Sequence, residues 1–320
     1  MVYSSTGEGT GRNFSLGQLT VQNTSALSPR SFVFVEVTFT SRPDAGTGTP
    51  AATGFNAEVE RLFFRYDQSD QLKGSVGRYH TPINWWNTAF HHGLWLQTTI
   101  ARPEMVRFGS QFIPVHFVGA LVEGSFPANG LNLNYNVGLG NGRGNVFSRG
   151  GDAGDTNANL ATLANVFVRP DRLYGLQVGA SVYRDKATPA GGGPDVDETI
   201  WAAHLVYQKE DPEIIAEYAH ATHDAEDGGP SARSEAYYVQ FAYRLPGAGH
   251  LWKPYYRYEK IRVDEDDPIL TATPGLSGNI VGVRYDATEL AAIKLEYRDM
   301  KRDRGFASTS GVFAQVSFAF

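Results

Sequence analysis

Cysteine is absent from all 320 residues. A zinc–thiolate centre, a disulfide framework and a thiol nucleophile are therefore excluded. No stretch of about 18 consecutive apolar residues occurs, so no transmembrane helix is available, in keeping with a mean hydropathy of −0.30. Positive charge is not in excess: 28 Lys+Arg stand against 34 Asp+Glu, a net charge of −6. Nucleic acid is therefore not an expected partner, because phosphate binding has no electrostatic basis. The start, MVYSSTGEGT, lacks a basic segment followed by an apolar core, so no signal peptide is visible. There is no fixed internal period, which excludes propellers and solenoids. There is no G-x-S-x-G either. A triad assembled from scattered residues leaves no trace in sequence. No enzymatic activity and no cofactor are expected.

What is abundant is alternation and aromatics. The chain carries 16 Tyr and 19 Phe, enough for aromatic belts at two membrane interfaces. The last ten residues, GVFAQVSFAF, place Val312, Ala314, Val316, Phe318 and Phe320 on one face and Phe313, Gln315, Ser317 and Ala319 on the other. Period-2 alternation of this kind predicts strands at 32–40, 55–66, 71–79, 115–126, 131–140, 160–169, 173–184, 199–209, 213–223, 234–245, 251–263, 278–287, 290–299 and 311–320. Most are about ten residues, the length of a tilted membrane-spanning strand. One apolar face per strand would also suit a soluble sandwich.

The connections separate the two. Short links (67–71, 127–130, 170–172, 210–212, 246–250, 287–289) interleave with long ones (41–54, 80–114, 141–159, 185–198, 224–233, 264–277, 300–310). Short periplasmic turns and long external loops produce this parity in transmembrane barrels. The expected fold is an all-β, antiparallel transmembrane β-barrel of about 14 strands spanning 32–320, with strand 32–40 pairing with the C-terminal strand. Residues 1–31 form an N-terminal segment, periplasmic or an extra strand through 14–22. Sixteen strands is the alternative count, with a further hairpin inside 80–114.

That long link and its approach are the most individual part of the chain. EVERLFFRYDQSDQLKGSVGRYHTPINWWN (58–87) combines Glu58, Glu60, Phe63, Tyr66 and Asp67 with Gly77, Arg78, Thr81, Pro82 and Asn87. This pattern, with the closing Phe320, resembles bacterial outer-membrane porins related to the phosphate-selective porin O/P group. The resemblance implies a barrel pore in the outer membrane, a homotrimer, and Phe320 as an assembly signal. It also implies contact with outer-membrane lipid and lipopolysaccharide. Phosphate selectivity does not follow, because this chain has no lysine cluster.

In such a barrel the inward face carries function. By register, the pore-lining candidates are Glu36, Glu123, Arg169, Glu217, Arg244, Arg284, Asp286, Lys294, Glu296 and Arg298. Their mixed signs suit polar or charged small solutes without strong ion preference; solvated lumen charges with local partners are the plainer account. If 80–114 folds inward, His80, Trp85, Trp86, His91, His92, Arg102 and Arg107 are the constriction candidates. If it folds outward, its aromatics form a cap or subunit contact. His91 and His92, with His80 or His116, have the ligand type for a metal. Adjacent positions on a strand point opposite ways, so no metal is expected. The acidic loops 223–230 and 263–268 do not fit an EF-hand. GLGNGRGN (138–145) follows a strand but precedes no helix, which removes the phosphate-cradling reading. The expected function is a porin passing small solutes by passive diffusion. The alternative is a scaffold barrel that houses a partner protein.

Overall fold

In a computed structural model of the protein, described for residues 2–6, 13–41, 55–107, 111–144, 146–147, 150–152, 154 and 157–320, the chain forms one antiparallel all-β sheet. In order the strands are β1 (Val2–Thr6), β2 (Asn13–Ser15), β3 (Gln18–Ser28), β4 (Ser31–Ser41), β5 (Phe55–Ser69), β6 (Leu72–His80), β7 (His116–Phe126), β8 (Leu133–Asn141) and β9 (Ala161–Val168). They continue with β10 (Leu176–Ala187), β11 (Val196–Gln208), β12 (Glu213–Ala225), β13 (Ala232–Ala242), β14 (Trp252–Arg262), β15 (Leu276–Thr288), β16 (Ala291–Arg302) and β17 (Thr309–Phe318). From β3 to β17 each strand pairs with the next.

All fourteen segments expected from alternation are strands. A fifteenth long strand, β3, pairs with β4 from Gln18↔Thr40 to Ser28↔Ser31. The expected pairing of the C-terminal strand with 32–40 is therefore corrected. The second neighbour of β17 is β1, through Val2↔Gln315 to Thr6↔Gly311, and β1 pairs in turn with β2. β3 hides in sequence because its alternation fades after Val21 into Gln22, Asn23, Thr24 and Ser25. Among the described residues of 80–114, the expected further hairpin is not present. The described part of that link holds a five-residue helix, α1 (Trp86–Phe90), and a 3-10 turn at Glu104–Val106. The expected long link 41–54 lies outside the described residues from 42 onward.

The two faces of the sheet are inverted relative to a soluble protein. On β16, Ile293, Leu295 and Tyr297 are exposed while Lys294 and Glu296 are buried. On β13, Val239 and Phe241 are exposed while Tyr238 and Gln240 are buried. On β17, Val312, Val316 and Phe318 are exposed while Gln315 and Ser317 are buried. A water-soluble sandwich buries its apolar face; here the polar face is inside. The exposed aromatics include a set beside the short turns: Tyr66, Phe126, Tyr174, Tyr243, Trp252 and Phe318.

Residues 81–107 and 111–115 lie against the inner wall and supply much of the apolar interior, including Ile83, Trp86, Phe90, Met105, Val106, Phe112 and Ile113.

Candidate functional site

An irregular segment buried in a barrel has backbone donors and acceptors with no ladder to satisfy them. The wall satisfies them with charged side chains, sorted by sign. Carboxylates take the link's N–H groups. Glu217 Oε1 accepts from Trp85 N at 2.8 Å and Trp86 N at 2.6 Å, at the start of α1. Glu296 accepts from Ile100 N at 2.8 Å, and Glu259 from Glu104 N at 2.7 Å. Cations take its carbonyls. Lys294 Nζ donates to Leu94 O, Gln97 O and Thr99 O at 2.6, 2.7 and 3.1 Å. Arg284 donates to Trp95 O and Gln97 O, and Arg257 to Ala101 O. The mixed signs of Glu217, Glu259, Arg257, Arg284, Lys294 and Glu296 thus have a local cause: they hold a loop.

Both ends of the link are tied by one side chain. Thr81 N donates to Val115 O at 3.0 Å. Asn87 Nδ2 donates to Thr81 O at 3.0 Å and Val115 O at 2.9 Å. With its amide N–H groups so used, Asn87 turns Oδ1 to His91 Nδ1, 2.7 Å away. His91 Nδ1 therefore carries the proton, and Nε2 presents a lone pair. Burial, then the charges of His80 and Arg102, hold the His91 imidazole well below its ordinary pKa. Arg102 lies 5.0 Å from the Trp86 ring centroid and donates to Val106 O and His91 O. Burial lowers its pKa to about 9.

The constriction candidates divide accordingly. His80, Trp85, Trp86, His91, His92 and Arg102 are brought together inside. Arg107 stands apart, half exposed and paired with Glu104 at 3.2 Å.

The pore-lining candidates fall into three groups. Glu217, Arg284, Lys294 and Glu296 hold the link. Arg298 backs them, with Nε 2.5 Å from Glu296 and its guanidinium 3.8 Å from the Phe313 ring centroid. Arg244 and Asp286 clamp the short-turn side at 2.7 Å, with Glu210 beside them. Glu36, Glu123 and Arg169 lie on the wall between β4 and the end of β9. Glu36 pairs with Arg61 at 2.6 Å and Glu123 with Arg65 at 2.7 Å. Arg169 donates to Gln177 at 2.9 Å and lies over Phe167; among the described residues it has no carboxylate in ion-pair range.

Between that wall and the link lies a cavity of about 340 Å³. The link contributes Asn84, Trp85 and Thr88; the wall contributes Arg61, Glu123 and Arg169. Glu60, Arg61, Arg257 and Glu259 carry roles that were not read from sequence.

A second buried network joins the long loops. Arg143 reaches Glu198 through Nε at 2.7 Å and Nη2 at 2.8 Å. His223 bridges Glu198 at 3.0 Å and Asp267 at 2.8 Å. Gly142 is required here, because a Cβ would lie 2.0 Å from the Asp185 carboxylate that accepts from Arg143 N. Burial opposes a charge on Asp267. Hydrogen bonds with His223, Leu270 N and Ser234 outweigh it and hold the carboxyl below its ordinary pKa. This contribution is complete above the unfolded carboxyl value, about 3.9, and is lost as pH falls through the lower folded value. Hydrogen exchange over 264–273 is therefore expected to stay slow from pH 7 to about 4. Asp267→Asn is expected to speed it roughly tenfold at pH 7. Equal exchange in both proteins would show that the loop is held by other contacts.

The fold and site define an antiparallel β-barrel with an internal loop. No protein-family model and no curated protein matches the chain. Solved structures do match in fold. An anion-selective porin from Comamonas acidovorans superposes with a TM-score of 0.66 at 12% identity, covering 95% of this chain and 89% of that one. Salmonella typhi OmpF, in complex with daunomycin, gives 0.65 at 12% identity, covering 100% and 94%. The outer-membrane channel DcaP of Acinetobacter baumannii gives 0.60 at 13% identity, covering 95% and 84%. The chain therefore has the porin type of barrel fold.

Proposed function

We propose that this protein is an outer-membrane porin through which small polar or charged solutes diffuse passively. The observation that carries the reading is the 340 Å³ cavity between link and wall, inside a barrel whose apolar face points outward. Such an exterior matches hydrocarbon, and the exposed Tyr and Trp side chains at the short-turn end suit the lipid–water boundary. That end is then periplasmic, with Phe320 beside it, and the long loops face the lipopolysaccharide. A homotrimer is the assembly this class suggests. A polar lumen replaces part of a solute's hydration, so the desolvation barrier of the bilayer is bypassed.

Of the charges lining this cavity, Arg61 and Glu123 are each paired, whereas the Arg169 side chain, among the described residues, has the Gln177 amide and the Phe167 ring. The net field there favours anions mildly; phosphate specificity is not proposed, since no lysine cluster lines the cavity. Purified protein in planar bilayers is expected to give discrete conductance steps. Arg169→Glu is expected to lower the chloride-to-potassium permeability ratio roughly two- to fivefold, read from reversal potentials in a salt gradient. Folded protein without conductance steps would overturn the porin reading. It would favour the scaffold reading, which the dense packing of the link against β12–β16 supports.

A further inference from the structure

Five side chains with metal-ligating atoms meet where the link touches β5, β6 and β7. The register puts them there. His80 and His116 are direct partners across β6 and β7. Leu62 pairs with Arg78, so the same register continued by two residues sets Glu60 in the row of His80. His91 and His92 arrive from the link at the C-terminal end of α1. They are not on a strand, so the opposed directions expected of adjacent strand residues do not apply. Their ring centroids are 4.5 Å apart.

The atoms converge. Glu60 Oε2 is 2.8 Å from His116 Nε2, 3.0 Å from His92 Nε2 and 3.9 Å from His91 Nε2. One ligand atom each from Glu60, His80, His91 and His92 falls within 4.8 Å of the others. His80 is 5% exposed, its ring stacks on His91 at 3.9 Å, and neither of its nitrogens has a hydrogen-bond partner among the described residues. Its nearest acid is Glu36, 3.6 Å from Nε2. Glu60 Oε2 and His116 Nε2 lie close together without hydrogen-bond alignment. The Asn87 amide fixes the His91 tautomer so that Nε2 faces Glu60, the outer-sphere arrangement that orients histidine ligands in metal sites.

We propose that Glu60, His80, His91 and His92, with His116 beside them, form a binding site for one borderline transition-metal dication of the zinc type. Imidazole nitrogens with one carboxylate suit zinc, copper(II) or nickel(II) and disfavour calcium and magnesium, which take oxygen ligands. Around a tetrahedral ion with bonds of about 2.05 Å the ligand atoms stand roughly 3.3 Å apart. Side-chain shifts of about an ångström close the present spacing to that value. The ion would join the link to two consecutive strands, because its ligands come from β5, β6 and the end of α1. The proposal does not depend on the channel reading, since binding is measured apart from conductance.

The test uses folded full-length protein in detergent, stripped with a chelator, equilibrated with zinc sulfate and passed through a desalting column. Metal analysis is expected to find one zinc per chain, with binding followed by calorimetry. Glu60→Gln keeps the side-chain shape and is expected to weaken zinc binding at least about tenfold. The double variant His80→Phe/His92→Phe, which keeps ring packing, is expected to retain none. Zinc is also expected to slow protease cleavage between residues 93 and 101 in the parent protein and not in the variants. Substoichiometric retention by the parent, or equal retention by variants whose heat-modifiable gel mobility shows a folded barrel, would overturn the site. Conductance recorded on the same preparations reports the porin reading separately.

Discussion

Replacing residues 82–114 with a four-residue turn is expected to raise single-channel conductance roughly three- to tenfold. The geometry permits the change. His80 and His116 are already paired, and Thr81 N already bonds Val115 O. A short hairpin can therefore join β6 to β7 without moving either strand. Removing the link uncovers Glu217, Glu259, Lys294, Glu296 and Arg257. All lie on the inner face, where incoming water takes over the hydrogen bonds that the link's backbone now makes. The barrel then keeps its strand pairing and loses its obstruction. Planar-bilayer recording compares the two proteins, and unchanged conductance would place the limiting barrier elsewhere.

Lys294→Met is expected to free the middle of the link while leaving the wall intact. Lys294 is fully buried and its ammonium donates to three link carbonyls. Methionine has a similar length and no donor, so three carbonyls lose their partner in a site that water does not reach. Hydrogen bonds to a charged group contribute about 1.5–3 kcal/mol each in isolation and less together, so a local loss of about 2–4 kcal/mol is expected. That raises the open population of residues 93–101 and speeds chymotryptic cleavage after Trp95 or Leu96 roughly tenfold or more. Cleavage at the parent rate would show that the apolar contacts of the link hold it without Lys294.

The barrel was legible in the chain because a membrane-facing strand writes its two environments on alternate residues. Ile293, Leu295 and Tyr297 against Lys294 and Glu296 cannot be read in any other period. β3 was not legible as a full strand, because its alternation fades after Val21 and nearly all of its side chains are exposed. The site was legible in part. His80, His91, His92, Trp85 and Trp86 stand out by residue type. Glu60 was also recoverable: a hairpin turning near residue 70 brings residues equidistant from that turn into one row, 60 with 80. Hidden from any local pattern was the use of the inner charges. Glu217 to Trp85 and Lys294 to Leu94 span more than a hundred residues, and only the closed arrangement of strands brings them together.

The direction in which β3 runs has one more consequence. β3 and β17 are separated by an even number of antiparallel steps, so both run the same way and cannot pair as the other strands do. Only a strand of opposite sense can stand between them, and β1 does so over five residue pairs with β17 and three with β2. Elsewhere among the described residues, neighbouring strands share seven or more. A cavity of about 970 Å³ lies beside this join, touching Leu19, Val21, Trp95, Leu96, Val316 and Phe318. Like a cask with one short stave, the cylinder has a preferred line of rupture. Under heat or mechanical load it should part where β1 meets β17 and β2.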